Sequence, residues 1–418
     1  MGKKYLTIAN ILCIMFKGDI MSKILIISEE FFNRENANTH CLEELIGGLK
    51  KNGHEIYLLT KEYGCDTLSD IDDAEIYKFR MNLQMFADSR SAMRNKNVIL
   101  RTVFMIMSYI LYHLDTSLLI SKMVKKGTQL IKEKKIDKVI SIFQTSVNHD
   151  AAYRIAKKNK DVEWIMYNVD QMTFNLSISP KEAEAFRKKE TAYSALVKKI
   201  INVEGIDEEY ISNHFEPYKN IPKISVPLPN LKPDEANFLK RNDNPKTVLR
   251  YFGRFYEDIR NPDCLIRMLK NLDAALYSAE FYGQSCEYLK KHYDSLPECV
   301  HLSGTVSAEK CIELTDSADI LINVGNTCAN QMPSKVFEYI SSGKPILNIY
   351  FNDKELAMKY LKKYPCIMNV RSDENISSSQ LDDFCKNSRL IPAEEIKEIF
   401  SGALNENVIK KSVEFIEE

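Results

Sequence analysis

The sequence predicts an α/β protein of two domains, each built around a sheet of parallel strands. Continuous apolar runs bounded by polar residues, such as 24–27, are typical of strands that are covered on both faces. These runs alternate with stretches of helical periodicity on both sides of residues 217–245. Six of the thirteen prolines lie in that interval, which favours neither a helix nor a central strand. The interval therefore predicts the junction between two domains.

The domain boundaries follow from the position of this junction. We expect a first domain over residues 21–230 and a second domain over residues 231–391. The tail, 392–418, has apolar residues at helical spacing and is predicted to be a C-terminal helix that can cross back to the first domain. The length of 418 residues agrees with two domains rather than one.

The composition excludes several classes of protein. Apolar residues make up 44% of the chain and charged residues 28%, which is typical of a soluble protein with packed cores. The net charge of −1 gives no reason to expect nucleic acid as a partner. The ten cysteines form no C-x-x-C pair and no Cys/His cluster at metal spacing. The chain is therefore predicted to lie in the reducing cytoplasm, without a zinc site or a disulfide framework.

The first twenty residues precede the first predicted strand. Their apolar run, Ile8–Phe16, is broken by Asn10 and is too short to span a bilayer, and no small-residue cleavage site follows it. Since a strand begins directly after Met21, we interpret residues 1–20 as a disordered extension or a start-codon artefact. A weak membrane anchor is the alternative.

The first half begins with a strand–helix–strand unit. A strand over 24–28, a helix that ends at Asn52-Gly53 and a strand over 55–60 form this unit. No G-x-G-x-x-G follows the first strand, so the usual dinucleotide cradle is not predicted. Asp70-Ile71-Asp72 has the spacing of a metal-binding D-x-D, but it lies in a polar loop, and we expect no metal there.

Residues 80–138 are strongly basic in a chain that is nearly neutral. They hold twelve Lys or Arg against four acids, a local balance of +8. Within them, Val103–Leu114 is rich in aliphatic and aromatic residues but too short to cross a membrane. This stretch could lie in the interface of an anionic membrane, held by its basic neighbours. The alternative is a buried helix with a solvated basic face.

Two polar residues of the first half follow predicted strands. Strand 138–143 is followed by a loop that contains His149, and strand 163–167 leads directly into Asp170. Side chains in these positions gather at the carboxyl edge of a parallel sheet. For His149 the alternative is a solvent-facing residue at the start of a helix. For Asp170 it is a helix or turn cap.

The second half repeats this arrangement with glycines at the strand ends. Gly253-Arg254, Gly283 and Gly304 each follow a predicted strand, and so does the loop 325–335. Glycine lets a flat ring or a phosphate approach the backbone closely. Because the carboxyl ends of parallel strands meet at one crevice, these features predict a single binding site.

The stretch Asn330–Asn348 is the strongest motif within this pattern. Pro333 and Ser334 predict a helix start, where Pro fits the first turn and Ser can cap free amides. Lys335 lies beside that start and predicts an anion site. Glu338, one turn further on, lies at a distance suited to sugar hydroxyls.

At these residues the chain resembles the GT-B glycosyltransferases, in particular the large retaining group called family 4. The resemblance covers most of the second half, from Tyr251-Phe-Gly-Arg254 to the run Pro333–Ile346. In the first half it rests on the generic segment 51–60. It implies two Rossmann-like domains facing across a cleft, the first binding an acceptor and the second a nucleotide-sugar donor.

The resemblance also assigns roles to individual residues. It implies that Gly253, Arg254 and a basic residue shortly beyond them hold the donor pyrophosphate. The usual Lys is absent from that place, and Arg260 is the nearest substitute. It implies that Lys335 is a second phosphate ligand.

Further donor-binding residues follow from the same resemblance. Gly304 would lie beside the base and Glu338 would bind the ribose, with Gly283 and Ser334 at the same edge. Asp170 and His149 would be the residues of the first domain that face the cleft.

One position departs from the family pattern. The family often carries two glutamates eight positions apart, the first of which touches the donor sugar. Counting back from Glu338 leads to Asn330, which can hydrogen-bond a hydroxyl but brings no negative charge. We expect a different donor sugar; reduced or lost activity is the other interpretation.

The resemblance implies a hexosyl- or related glycosyltransferase that uses a UDP- or GDP-linked sugar. We expect no cofactor and no metal, because Arg254, Lys335 and a helix start can stabilise the leaving diphosphate. Retention of anomeric configuration is implied by the resemblance only. The expected acceptor is a glycan or a lipid-linked saccharide in cell-surface polysaccharide synthesis at the inner face of the membrane. A nucleotide-sugar epimerase and a non-catalytic binding or scaffold protein are the alternatives.

Overall fold

The computed structural model describes residues 22–32, 37–62, 74–81, 98–175, 178–233, 244–329 and 332–418. The N-terminal extension 1–20, the Asp70–Asp72 loop and Asn330 lie outside these ranges, so the predictions made for them stay predictions.

Seven strands and five helices lie in the described part of the first half. The strands are β1 (Lys23–Ile27), β2 (Glu55–Lys61), β3 (Glu75–Phe79), β4 (Lys138–Phe143), β5 (Glu163–Asn168), β6 (Lys199–Val203) and β7 (Lys223–Val226). The helices are α1 (Ala37–Lys51), α2 (Val98–Lys134), α3 (Ser146–Lys158), α4 (Pro180–Tyr193) and α5 (Ile206–Ser212).

Six strands and eight helices follow in the described part of the second half. The strands are β8 (Thr247–Phe252), β9 (Tyr277–Tyr282), β10 (Val300–Gly304), β11 (Ile320–Val324), β12 (Ile346–Tyr350) and β13 (Ile367–Arg371). The helices are α6 (Asp263–Leu269), α7 (Ser285–His292), α8 (Ala308–Asp316), α9 (Lys335–Ser341), α10 (Met358–Leu361), α11 (Ser378–Asn387), α12 (Ala393–Ile399) and α13 (Asn405–Glu417).

Each half forms one sheet, and the strand order reverses near the middle of both. The first sheet has the order β3-β2-β1-β4-β5-β6-β7, and the second has the order β10-β9-β8-β11-β12-β13. All neighbouring pairs of the second sheet are parallel, as are the pairs from β3 to β5 in the first. The predicted α/β class with two Rossmann-like domains is confirmed. In such sheets ligands bind at the carboxyl ends of the strands where the order reverses.

The central strands are buried along their whole length. Every residue of β4 and β11 is buried, and so are 24–27 of β1. Helices cover both faces of a parallel sheet, so its strands carry apolar side chains on both sides. This explains why their sequences are continuous apolar runs rather than alternating patterns.

The chain divides into two compact units that are not simple halves. The first unit holds residues up to Ile201, Pro217–Lys223 and Val413–Glu418, and the second holds Asn202–Glu216 and Ile224–Ser412. The end of α13 therefore belongs to the first unit, where His54 Nε2 lies 2.9 Å from Glu417 Oε1. The predicted boundary between residues 230 and 231 stays a prediction.

Three elements differ from the sequence-based expectation. The tail is two helices separated by a short 3₁₀ turn, Ser401–Ala403, rather than one helix over 392–418. The proline-rich interval contains β7, which is tolerated because β7 lies at the edge of its sheet. Helix α2 is far longer than the apolar stretch Val103–Leu114.

The exposure of α2 contradicts the buried-helix alternative for its first half. Nine large apolar side chains there are 50–65% exposed: Val103, Met105, Ile106, Met107, Tyr109, Ile110, Tyr112, Leu114 and Leu118. Successive residues lie about 100° apart on a helix, so these nine cover most of its circumference. Ser108 and Asp115 are buried on the remaining strip. By length and composition, the described helix Thr102–Lys134 could cross a membrane.

Candidate functional site

The second sheet reverses its strand order between β8 and β11, and a small pocket lies at this point. The pocket has a volume of about 60 Å³. Its walls come from the ends of both strands and from the start of α9: Tyr251, Phe252, Arg260, Ile322, Asn323, Val324, Pro333, Ser334, Lys335 and Tyr339. The structure thus brings together Arg260, Ser334 and Lys335, three of the predicted site residues.

Glycine turns form the edge of this site. Gly253 and Gly283 have φ values of +152° and +88°, and Gly304 has +76°, all of which favour glycine. A Cβ at Gly283 would lie 2.8 Å from the carbonyl oxygen of Gly253, so only glycine fits that close approach. The amide of Gly283 donates to the carbonyl of Gly304 at 2.7 Å. The three predicted glycines therefore follow three adjacent strands, β8, β9 and β10, at one edge.

The two predicted arginines differ in their surroundings. Arg254 is exposed, and its guanidinium donates to the hydroxyl of Tyr256 at 3.1 Å and lies over that ring. Arg260 is half-buried and donates twice to the side-chain oxygen of Asn326, at 3.1 and 2.8 Å. Arg260 thus lines the pocket in a fixed orientation. Arg254 does not belong to the pocket lining.

Lys335 and Glu338 form an ion pair across one turn of α9. Their charged atoms lie 2.6 Å apart, and both side chains are partly exposed. Burial lowers the pKa of Lys335, but Glu338 and Cys311 raise it by more, so Lys335 has a raised pKa and stays charged. A phosphate reaching Lys335 would share its ammonium group with Glu338.

Ser334 does not act as a helix cap, which corrects the sequence-based expectation. Its backbone is already helical, and its side chain accepts no capping hydrogen bond. Pro333 directly precedes it, and the Val336 amide donates to the Pro333 carbonyl at 3.1 Å. Within the described residues the Ser334 hydroxyl has no hydrogen-bond partner, so it remains available to a ligand in the pocket.

A buried acid, Glu355, lies behind this edge and was missed by sequence reasoning. It is 2% exposed, and its Oε1 accepts from the Asn326 amide at 2.9 Å. Its Oε2 is buried without a hydrogen-bond partner. A Cβ at Gly325 would overlap this carboxylate, so glycine is required there. Burial raises the pKa of Glu355 to about 7, against the opposing effects of Asn326 and Arg260.

Arg260, Asn326 and Glu355 therefore form one connected chain of hydrogen bonds. Asn326 is itself buried. Its side-chain oxygen accepts from Arg260, and its backbone amide donates to Glu355. This chain fixes the loop after β11 and the guanidinium of Arg260 together. Glu355 follows β12 by five residues, and that position at a strand end is the signal that could have indicated it.

The first sheet reverses its strand order between β1 and β4, where a second polar cluster lies. Ser28 and Glu29 follow β1, and Gln144 and Thr145 follow β4. Ser28 donates to Gln144 Oε1 at 2.8 Å, and the Thr145 hydroxyl donates to Glu29 Oε1. The Glu29 amide donates to Asn148 Oδ1 at 2.8 Å. This cluster lies where an α/β sheet binds ligands.

Glu29 is the titratable centre of this cluster and was also missed. It is 6% exposed, and burial raises its pKa to about 7, with Thr145 acting in the opposite direction. A buried carboxyl group with such a pKa at a strand end is a candidate proton donor or acceptor. Its position directly after the apolar run of β1 was the available signal.

His149 is a core residue, which corrects its predicted role in catalysis. It is fully buried, and its ring nitrogens lie 2.8 Å from Ser141 Oγ and 3.0 Å from Asn168 Oδ1. Burial lowers its pKa to about 4, so the ring is neutral at physiological pH. Both nitrogens are engaged and the ring is enclosed by aromatic side chains, so His149 cannot exchange protons with a substrate. The solvent-facing alternative is equally wrong.

Asp170 lies at the carboxyl end of β5, as predicted. It is half-buried and close enough to Cys41 to influence that thiol. Its role in catalysis stays a prediction.

Among the described residues, no group of three or more His, Cys, Asp or Glu side chains could hold a metal ion. The eight described cysteines are all free thiols. The chemistry available at the two edges consists of fixed cations, hydroxyls and two buried acids.

Several solved structures have a fold similar to that of this chain. No protein-family model and no curated protein matches the chain. Sucrose-phosphate synthase from Thermosynechococcus elongatus matches with a TM-score of 0.64 and 11% identity, over 95% of this chain and 98% of that chain. A trehalose-6-phosphate protein from E. coli, bound with UDP-2-fluoro glucose, matches with a TM-score of 0.58 and 10% identity, over 95% and 98%.

A third match comes from a different class of enzyme. UDP-GlcNAc 2-epimerase from Methanocaldococcus jannaschii matches with a TM-score of 0.52 and 11% identity, over 94% of this chain and 99% of that chain. At such identities the likeness concerns the fold. The chain is similar to these proteins over nearly its full length, and it has the GT-B fold of two Rossmann-like domains.

Proposed function

We propose that the protein is a glycosyltransferase that takes its sugar from a UDP- or GDP-linked donor. The observation that carries this proposal is the pocket between β8 and β11, where Arg260, Ser334 and Lys335 converge. Two cations and a free hydroxyl at a strand-order reversal suit a diphosphate. The E. coli structure with the same fold, bound with UDP-2-fluoro glucose, supports a nucleotide-sugar donor.

Within this proposal the second domain, 231–391, binds the donor. Lys335 and Arg260 contact the pyrophosphate and stabilise the charge that develops on it as the sugar leaves. Glu338, one turn after Lys335, binds the ribose hydroxyls, and Gly283 and Gly304 allow the base to approach the backbone. The reaction needs no metal and retains anomeric configuration; both points rest on the resemblance.

The first domain, 21–230, binds the acceptor in this proposal. Its polar cluster offers Glu29, whose raised pKa suits proton exchange with an acceptor hydroxyl near neutral pH. Asp170 lies at the same edge of the sheet. Glu29 takes the place of His149, which the structure assigns to the core, and Asp170 remains as predicted.

We further propose a membrane-proximal acceptor, a glycan or a lipid-linked saccharide used in cell-surface polysaccharide synthesis. The support is the exposed apolar half of α2, because soluble proteins rarely expose so many adjacent large apolar side chains. Directly beyond it, a pocket of about 230 Å³ is lined by Ser121, Val124, Arg154, Lys157 and Lys158. Within the described residues these three cations have no carboxylate partner, which suits anionic lipid head groups.

A coupled assay tests the proposed activity. Nucleoside diphosphate release is measured with a panel of UDP and GDP sugars, with and without membrane glycolipid extract. The proposal predicts release that depends on both a particular sugar donor and the extract. Conversion of the nucleotide sugar without an acceptor would favour an epimerase, and the absence of both turnover and binding would favour a scaffold protein.

A further inference from the structure

A second pocket lies at the opposite, amino-terminal edge of the second sheet. Its volume is about 410 Å³, and its walls are formed by residues just before β8, β11 and β12 and after α11. The lining residues are Asn244, Lys246, Thr247, Ala318, Asp319, Lys344, Pro345, Cys385, Ser388, Arg389 and Leu390. Strand β11 separates this edge from the proposed donor site by roughly 16 Å, at about 3.3 Å per residue.

Lys344 is the unusual group in this pocket. The residue as a whole is only 3% exposed. Within the described residues its amino group has neither a hydrogen bond nor an ion pair, although buried ammonium groups are normally paired. It lines the pocket, so the cavity is the direction from which a partner can reach it.

The carboxylates nearest to Lys344 do not neutralise it by contact. Asp319 and Asp316 act on it only at a distance, and burial lowers its pKa despite them. Asp319 instead accepts from the Val248 amide at 2.8 Å and from Asn244 Nδ2 at 3.0 Å. These hydrogen bonds hold the acid against the start of β8.

The other charged groups of the pocket leave it positive. Lys246 is exposed and donates to the Ala274 carbonyl at 2.6 Å, and Arg389 is paired with Glu395 at 2.9 Å. Both still border the cavity. The described lining residues therefore include three cations, Lys344, Lys246 and Arg389, and one acid, Asp319. The local field therefore favours an anion over a cation.

We propose that this pocket is a binding site for a small oxyanion-bearing metabolite, with Lys344 as its principal ligand. A phosphate or carboxylate group would pair with the Lys344 ammonium and so supply the partner that the protein does not provide. Asn244 and Ser388 border the same space and can contribute polar contacts. The site is separate from the proposed donor pocket and does not depend on the proposed function.

The test measures anion-dependent stabilisation in variants that isolate this pocket. Inorganic phosphate and citrate are titrated against full-length Lys335→Met, which removes one of the two cations of the donor pocket. The same titrations use Lys335→Met combined with Lys344→Met, and Lys335→Met combined with the exposed control Lys354→Met. Sodium chloride at equal ionic strength gives the reference melting temperature for each variant.

At ten times its dissociation constant, an anion should raise the melting temperature by about 3 °C. We expect this increase in Lys335→Met and in the Lys354 control, and its loss in the Lys344 variant. A response to phosphate alone identifies a phosphate site, and a response to citrate alone identifies a carboxylate site. An increase that chloride reproduces, or that Lys344→Met leaves intact, would overturn the proposal.

A measurement on the unaltered protein covers the case in which the Lys344 variant fails to fold. Amines are acylated with acetic anhydride, and the extent of modification at each lysine is read by mass spectrometry with and without the anion. Phosphate or citrate should slow modification of Lys344 at least threefold and leave Lys354 unchanged. Equal modification of Lys344 under both conditions contradicts the assignment.

Discussion

At the scale of single residues, two buried acids lie at the two sheet edges. Glu29 lies at the strand-order reversal of the first sheet, and Glu355 supports the loop after β11 in the second. Burial raises the pKa of each to about 7. Both therefore change charge within the physiological range.

The raised pKa of Glu29 predicts how stability depends on pH. The unfolded chain ionises this group near its ordinary value of 4.5, whereas the folded protein keeps it protonated up to about pH 7. The stability that the protonated Glu29 side chain contributes is thus fully present below pH 4.5 and is lost as the pH rises through 7. Glu29→Gln, which stays neutral, should gain up to about 3 kcal/mol relative to the unaltered protein between pH 4.5 and 8.

Urea unfolding of both proteins at several pH values measures this difference. The matched control is Glu394→Gln at an exposed position, which should show no such trend. A constant difference between Glu29→Gln and the unaltered protein across the range would contradict the burial-raised pKa.

His149 gives a prediction that separates a core residue from a catalytic one. His149→Ala leaves a cavity and removes one hydrogen-bond partner each from Ser141 and Asn168, so the free energy of unfolding should fall by about 3 kcal/mol. Turnover per folded molecule should stay within a few-fold. Urea unfolding and the turnover rate are measured in the same buffer. A variant that is as stable as the unaltered protein but has lost turnover a thousand-fold would show that His149 is catalytic after all.

At the scale of elements, the exposed half of α2 gives the clearest prediction. Ile106→Glu with Ile110→Glu places charge where apolar side chains would enter a membrane, so binding to anionic liposomes should weaken at least tenfold. The control is Ile312→Glu, which alters a similarly exposed isoleucine in the second unit. Flotation with anionic liposomes measures the bound fraction. Equal binding by all three proteins, or none by the unaltered one, contradicts a membrane role for α2.

The end of the last helix, from Val413 onwards, belongs to the first unit, and its burial predicts its contribution to stability. Ile416 is fully buried, so Ile416→Ala should lower the free energy of unfolding by about 3 kcal/mol. Ile312→Ala at an exposed position should change it by less than about 0.5 kcal/mol. Denaturant unfolding compares the two. Similar small effects would show that the helix end does not pack as the structure has it.

The elements also show which parts of the fold the sequence could predict. Strand β4 is a largely apolar run, and its predicted bounds, 138–143, agree with the structure because a strand that is buried on both faces carries apolar residues without alternation. The predicted bounds of β2 and β5 differ from the structure by one residue. The break in the tail at Ser401–Ala403 was missed because apolar residues continue at helical spacing across it. The exposure of α2 was also beyond prediction, because an apolar helix has the same pattern whether protein or lipid covers it.

The candidate site shows the same limit. The glycines with positive φ and the pocket residues Ser334 and Lys335 were predicted because strand ends meet at one edge. Arg260 was predicted from the family resemblance alone. Glu29 and Glu355 were missed because the pattern of a charged residue after a strand does not reveal burial. His149 was misassigned for the same reason: its neighbours in sequence do not show that Trp164 and Tyr193 enclose it.

At the scale of the whole molecule, two parallel sheets reverse their strand order and carry polar clusters at those points. The edge of the second sheet holds cations, and the edge of the first sheet holds a titratable acid. We propose that the cation-bearing edge of the second unit binds the diphosphate of a nucleotide sugar.

Calorimetric titration of UDP and GDP sugars tests this claim most directly. The unaltered protein should bind at least one of them, and Lys335→Met should weaken that binding about tenfold or more, as expected for loss of a charged hydrogen bond to phosphate. The matched variant Lys354→Met should bind as the unaltered protein does. Binding that Lys335→Met leaves unchanged, or no binding of any nucleotide sugar, would show that this edge is not the donor site.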